Sequence, residues 1–137
     1  MRMGDQAIRY DPDATERVYA GLERGHADKC GCIDCQNFVA QRDSAYPESF
    51  KRLLDQLGID SSKEGEVYAM GPNGKGKISY GGWFYFTGEM IEAGERNINL
   101  DGFEFWFNAK GPKAPAFWGE NVLPVEYVTA LDWVIGG

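Results

Sequence analysis

Cys30, Cys32 and Cys35 stand in a C-x-C-x-x-C run, and the only histidine of the chain, His26, precedes them to give H-x3-C-x-C-x2-C. Four nitrogen and sulfur donors therefore fall within a single short segment. Zinc accepts a Cys3His set, in which three thiolates against Zn2+ leave one net negative charge. Gly25 and Gly31 permit tight loop geometry, and Cys35 falls near the predicted start of a helix, where the helix dipole favours a thiolate. The spacing is unusual for zinc, because structural sites mostly join two separated ligand pairs. Three ligands from the loop plus water would make an open site. Two other readings use the same residues. Cys35 can be a core residue beside Phe38, with Cys30 and Cys32 as ordinary thiols of a turn. Alternatively Cys30 and Cys32, or Cys32 and Cys35, form a reversible disulfide. A C-x2-C pair at a helix start has redox precedent, although the βαβ setting of thioredoxin-like proteins is missing.

A second group of chemically capable residues lies among the aromatics of the second half. Along Phe103-Glu104-Phe105-Trp106-Phe107 the phenylalanines share one face and Glu104 and Trp106 the other. Along the last apolar segment Glu126 and Asp132 alternate onto the mixed face. Trp106, Glu104, Glu126 and Asp132 are thus candidates for a ligand groove or partner surface. Paired carboxylates can do acid/base work, but no second histidine or nucleophile–base pair accompanies them. The plainer expectation is solvent-facing acids, with Trp106 covered by the Phe117-Trp118 loop.

Gly71-Pro72-Asn73-Gly74-Lys75-Gly76-Lys77 matches G-x-x-x-x-G-K, the pattern of a phosphate-binding loop. That loop needs a helix beginning at the lysine and a following Ser/Thr for magnesium. Ile78 follows here, and Ser79-Tyr80-Gly81-Gly82-Trp83-Phe84 cannot start a helix. A glycine-rich hairpin turn is expected instead.

The elements that must position these residues are legible from periodicity. Asp11-Pro12-Asp13 predicts an N-cap, a first-turn proline and a first-turn acid. Ala14, Val18 and Leu22 follow at helical spacing, and Gly25 ends the pattern. A short helix is predicted from about Asp34, with Cys35, Phe38 and Val39 on one face. A third starts at Pro47: Phe50, Leu53, Leu54 and Leu57 fall at i, i+3, i+4, i+7, and Gly58 stops it. After Gly58 the period becomes 2. Strands are predicted at 66–70, 78–87, 102–108 and 125–135, with a short extra one at 7–10. The polar stretch 88–99, carrying Glu89, Glu92 and Glu95, reads as a solvated loop. Trp83-Phe84-Tyr85-Phe86 is apolar on both faces and predicts a central, covered strand. Gly81-Gly82 predicts a bulge or a close backbone approach. The expected fold is a single α+β domain spanning 1–137, its N-terminal helices packed on one face of a mainly antiparallel sheet of four to five strands.

Composition narrows the function classes. The 137 residues are 43% hydrophobic and 26% charged, enough for a packed core. Thirteen of the aromatic residues lie between Tyr80 and Trp133, so that half supplies most of it. A formal net charge of −7 argues against nucleic acid and against an anionic membrane, and favours a basic protein partner. No apolar run approaches a membrane span, and Met1-Arg2-Met3-Gly4-Asp5-Gln6 lacks the apolar core of a signal peptide. An odd cysteine count in one cluster is a poor disulfide framework, and no usable N-x-S/T acceptor occurs, so reduced thiols in the cytoplasm are the simpler expectation.

Cys30-Gly31-Cys32-Ile33-Asp34-Cys35-Gln36-Asn37-Phe38, Leu57-Gly58-Ile59-Asp60 and Tyr80-Gly81-Gly82-Trp83-Phe84 together resemble a pattern of small uncharacterised bacterial proteins. The resemblance covers about two-thirds of the chain and implies a bacterial cytosolic protein, with no activity attached. The expected role is a non-enzymatic binding or interaction protein whose cysteine loop holds a metal, zinc first. The alternative is a thiol-based redox enzyme or sensor using the same cluster.

Overall fold

Two strands open the chain, β1 (Arg2–Met3) and β2 (Gln6–Tyr10), turning at Gly4. Asp11 then caps α1 (Pro12–Ala20): its carboxylate accepts the Ala14 N–H at 3.1 Å, and Pro12 occupies the first turn. Four further helices follow, α2 (His26–Cys30), α3 (Ile33–Val39), α4 (Arg42–Ala45) and α5 (Glu48–Leu57). In α5, Phe50, Leu53, Leu54 and Leu57 are all buried, as their spacing predicts. The helix ends at Gly58 with φ 84°, a left-handed position that suits glycine. The remaining strands are β3 (Glu66–Pro72), β4 (Ile78–Glu92), β5 (Ile98–Leu100), β6 (Phe103–Phe107) and β7 (Val122–Leu131). The computed structural model describes residues 1–136. No helix among them is long and apolar enough to cross a membrane.

The fold is α+β with one seven-stranded sheet in the order β1-β2-β4-β7-β6-β5, and β3 also pairs with β4. Every pairing is antiparallel. The sheet therefore has more strands than the four to five expected. The helices are inserted between β2 and β3 rather than placed ahead of the sheet. The long strand β4 explains the difference. Its first half pairs with β3 and its last residues, Gly88 to Glu92, pair with β2 on the same edge. Glu89 and Glu92 are thus strand residues, not loop residues, and form exposed ion pairs with Arg9 and Arg2. The hydrogen-bonding partner of this polar segment lies some eighty residues upstream, so local composition could not reveal it. β7 begins and ends earlier than predicted, which leaves Asp132 and Trp133 beyond the strand.

Alternation along the strands sends Tyr80, Phe84 and Phe86 of β4, Phe103, Phe105 and Phe107 of β6, and Val125 and Tyr127 of β7 into the core. Phe50 meets Phe103 and Phe105 with ring centroids 4.6 and 5.1 Å apart. Gly82 is the close approach the sequence predicted: a Cβ there would sit 2.5 Å from the Tyr127 hydroxyl and 2.6 Å from the Glu66 carbonyl. On the other edge, the sheet curls until β2 meets the end of β6. The buried Gln6 amide donates to the Phe107 carbonyl at 2.8 Å, and the Phe107 N–H donates back to Gln6 Oε1 at 3.1 Å. One side chain stands in for a strand partner. Gln6→Ala leaves two main-chain groups buried without partners, and a loss of about 2–3 kcal/mol in urea unfolding is expected. A loss below about 0.5 kcal/mol would show that water replaces the amide.

Candidate metal centre

The cysteine segment is two short helices hinged at Gly31, whose φ of 70° closes α2 and reverses the chain into α3. Gln36 fixes the hinge by donating to the Gly31 carbonyl at 2.8 Å. Cys32 is the N-cap of α3, its sulfur accepting the Cys35 N–H at 3.4 Å. α3 is anchored through Asn37, which is fully buried. Its amide donates to the Tyr80 hydroxyl and the Asp132 carbonyl, and its oxygen accepts the Val134 N–H. His26 opens α2, and its main-chain N–H donates to the Glu64 carbonyl at 3.0 Å. Its imidazole Nε2 stands 2.9 Å from Glu66 Oε1 on β3.

These anchors bring ligand atoms of His26, Cys30 and Cys35 within 4.8 Å of one another. Atoms bound to one tetrahedral zinc lie ~3.5–3.8 Å apart, given Zn–S and Zn–N distances of about 2.3 and 2.0 Å. The donor set of one imidazole and two thiols suits a borderline-soft cation such as zinc. A carboxylate beside one ring nitrogen is the usual companion of a ligating histidine. The contact with Glu66 leaves Nδ1 as the nitrogen free to ligate. Cys32 stands beside this trio rather than within it.

The three thiols differ in environment. Cys30 and Cys32 are exposed and Cys35 is buried. The Cys35 N–H and then the Cys30 thiol push the Cys32 pKa below the usual thiol value. Burial pushes Cys35 well up, and the neighbouring Cys30 and Cys32 add to it.

A buried ionic network holds α2 in place. Arg42 Nη2 lies 2.7 Å from Glu64 Oε1 and 3.1 Å from Asp28 Oδ2, and Nη1 reaches Asp28 Oδ1 at 3.3 Å. The Glu64 side chain is wholly buried. Burial raises its pKa against the opposing pull of Arg42. Asp28 also accepts the Gly25 N–H ahead of the helix. Reading the sequence missed all three residues, because isolated charges at 28, 42 and 64 carry no spacing signal.

The other predicted site residues are placed separately. Glu104, Trp106 and Glu126 share the outer face of β6 and β7, where Trp106 Nε1 donates to Glu126 Oε2 at 3.2 Å. Asn108 donates to the same oxygen, and Asn97 donates to Glu104. Asp132 does not join them: it lies past the end of β7 and pairs with Lys77 at 3.2 Å. The Phe117-Trp118 loop does not cover Trp106. Trp118 packs instead on Tyr19 and Tyr85, with centroids 5.5 and 6.2 Å away, and Phe117 is 63% exposed. The loop is held there by aromatic partners from two elements, Tyr19 of α1 and Tyr85 of β4. In the Gly71–Lys77 segment, Gly71 and Pro72 end β3 and the rest is the β3–β4 hairpin turn, closed by the Asn73 N–H on the Lys77 carbonyl at 2.9 Å. A strand follows it, which removes the phosphate-loop geometry. No protein-family model, curated protein or solved structure matches this chain.

Proposed function

We propose that the chain is a zinc-holding binding domain, not an enzyme. The observation that carries this reading is the convergence of His26, Cys30 and Cys35 from two helices. His26, oriented by Glu66, contributes its free nitrogen, while Cys30 and Cys35 contribute thiolates after losing their protons. Cys32, whose surroundings favour its thiolate, would supply a fourth ligand or leave that position to water. Bound zinc would supply a cross-link between α2 and α3 across the Gly31 hinge. The net charge of −7 favours a basic protein as partner, with an association that weakens as salt rises. Free thiols suit the cytoplasm.

Elemental analysis of protein purified without an affinity tag tests the reading. One equivalent of zinc is expected, lost in Cys30→Ser and in His26→Ala. Cys32→Ser keeps a competent N-cap, so its zinc content reports whether Cys32 ligates. Cobalt(II) added to metal-free protein should give thiolate-to-metal absorption. Protein that binds neither ion refutes the site.

One observation favours the redox alternative: an exposed Cys32 sulfur at a helix N-cap, three residues before a buried Cys35. In that reading the Cys32 thiolate attacks oxidised glutathione and releases one glutathione thiolate. Cys35 then displaces the second, leaving an intramolecular disulfide and two reduced glutathiones. The expected result for metal-free protein is rapid alkylation of Cys32 by iodoacetamide, with Cys35 slowest. Loss of two free thiols on treatment with oxidised glutathione would favour this chemistry over the metal reading. Full thiol retention would remove it.

A further inference from the structure

The outer face of β4 carries a cavity of about 380 Å3 beside the metal trio. Its floor is the pair Trp83 and Tyr85, and its wall is Tyr19 and Trp118. Gly65 makes the floor accessible: its N–H donates to the Trp83 carbonyl at 2.9 Å, and a Cβ there would press on the Tyr85 ring at 2.9 Å and on Trp83 at 3.2 Å. Phe117 stands at the mouth, stacked on Trp118 at 6.5 Å with its ring mostly exposed. Aromatic surface of this kind, flat on several sides, suits a planar ring.

The charges around the cavity run against those of the molecule. Arg24, Lys29, Lys63 and Lys113 line it, in a chain with a net charge of −7. Lys63 is engaged by the Tyr19 carbonyl and Asp60. Arg24, Lys29 and Lys113 have no carboxylate partner among the described residues. Of the two carboxylates in the lining, Glu64 pairs with Arg42 through Oε1 while its Oε2 is buried without a partner, and Glu66 contacts His26 Nε2, so four cations face two acids. The Trp83 indole Nε1 is buried without a hydrogen-bond partner. Burial pushes the Tyr85 pKa up, against the opposite pull of the Trp83 indole N–H on its hydroxyl. Tyr85 itself donates to the Lys113 carbonyl at 3.2 Å. Three cations without carboxylate partners beside an aromatic floor favour a ligand that carries negative charge.

We infer that this cavity binds a small planar aromatic anion, its ring against Trp83, Tyr85 and Trp118 and its acid group toward Arg24, Lys29 and Lys113. The volume falls in the lower part of the range for small-molecule pockets, roughly 300–1,000 Å3, which fits one or two fused rings with one acid. The inference does not rest on the metal reading, although His26 borders both sites.

Three molecules with one ring system and three charges test it: indole-3-acetate, indole-3-acetamide and tryptamine. Each is titrated into the full chain at low salt, and the indole N–H resonances of 15N-labelled protein are followed. The acid is expected to shift the Trp83 and Trp118 signals saturably and to bind about tenfold or more tighter than the amide. Tryptamine should not saturate. Arg24→Glu combined with Lys113→Glu should weaken the acid about tenfold and leave the amide unchanged, with signal dispersion reporting that the fold is retained. Equal affinity for all three molecules, no shift with the acid up to about 5 mM, or an unaltered charge-reversed variant overturns the inference. Repeating the titration after chelation separates the two sites. Binding that survives metal removal supports the cavity by itself, and a protein that never loads zinc can still pass this test.

Discussion

Arg42→Ala is expected to cost about 3–5 kcal/mol of stability, measured by urea unfolding at neutral pH. That is the usual cost of removing one partner from a buried ion pair. The reason is Glu64. Its side chain is wholly buried, and the Arg42 guanidinium answers its charge. Without Arg42 the carboxylate stays out of water with no compensating charge. A second carboxylate, Asp28, loses both of its guanidinium contacts at the same time. The sign of the pH dependence follows from burial, which already lifts the Glu64 pKa above its ordinary value. A carboxyl whose folded pKa exceeds its unfolded one favours the protonated chain, so its contribution is present at low pH and lost as pH rises through the folded pKa. Removing Arg42 removes the opposing pull and lifts that pKa further. The deficit of the variant should therefore be full at pH 7.5 and shrink as pH falls toward 5. Adding Glu64→Gln to Arg42→Ala should recover part of the loss, since a neutral amide costs less to bury than an unpaired charge. A deficit that is flat with pH, or that deepens on acidification, would place the effect in packing over Phe38, where the guanidinium carbon lies 5.9 Å from the ring centroid.

Zinc should raise the stability of metal-free protein by about 2.7 kcal/mol when free zinc is a hundred times its dissociation constant. For a chain of this length that corresponds to roughly 10 °C in thermal unfolding. The gain arises because the folded chain holds His26, Cys30 and Cys35 together and the unfolded chain does not. Cys30→Ser should abolish the gain while leaving the metal-free protein close to its original midpoint, since Cys30 is exposed and fills no core space. Cys35→Ser is a less clean variant, because Cys35 is buried in the core. The zinc effect should weaken as pH falls. Binding must displace thiol protons, and burial holds the Cys35 proton more tightly than usual. An identical midpoint with and without zinc, in protein whose thiols are shown to be reduced, would refute the site.

How much of this could be read in advance depends on the range of the interaction concerned. The α5 face needed only the spacing of Phe50, Leu53, Leu54 and Leu57. The Asp11-Pro12 start of α1 needed only adjacent residues. The last turn of β4 was different. Gly88 to Glu92 reads as loop, since its glycine and its acids are poor strand formers, and only pairing with β2 makes it a strand. β1 and β5 are too short to show a period. Alternation puts Asp132 on the mixed face only while the strand continues, and its pairing ends one residue earlier, at Leu131 opposite Ile78.

The sequence alone determined the α+β class, the helical faces, the Gly71–Lys77 turn, the inward phenylalanines of β6 and the concentration of soft ligands between His26 and Cys35. Each of these is a property of residues within a turn or two of one another, which local sterics and solvent preference decide. Tertiary structure alone decided the sheet's seven strands, the Gln6 latch, the burial of Glu64 beneath Arg42, and the division of the cysteines into a trio with His26 and a capping Cys32. It also gathered Arg24, Lys63, Trp83 and Lys113, spread over ninety positions of chain, around one cavity. Burial and long-range pairing set these, because the cost of leaving a charge or a main-chain group unsatisfied depends on everything packed around it and not on its neighbours in sequence.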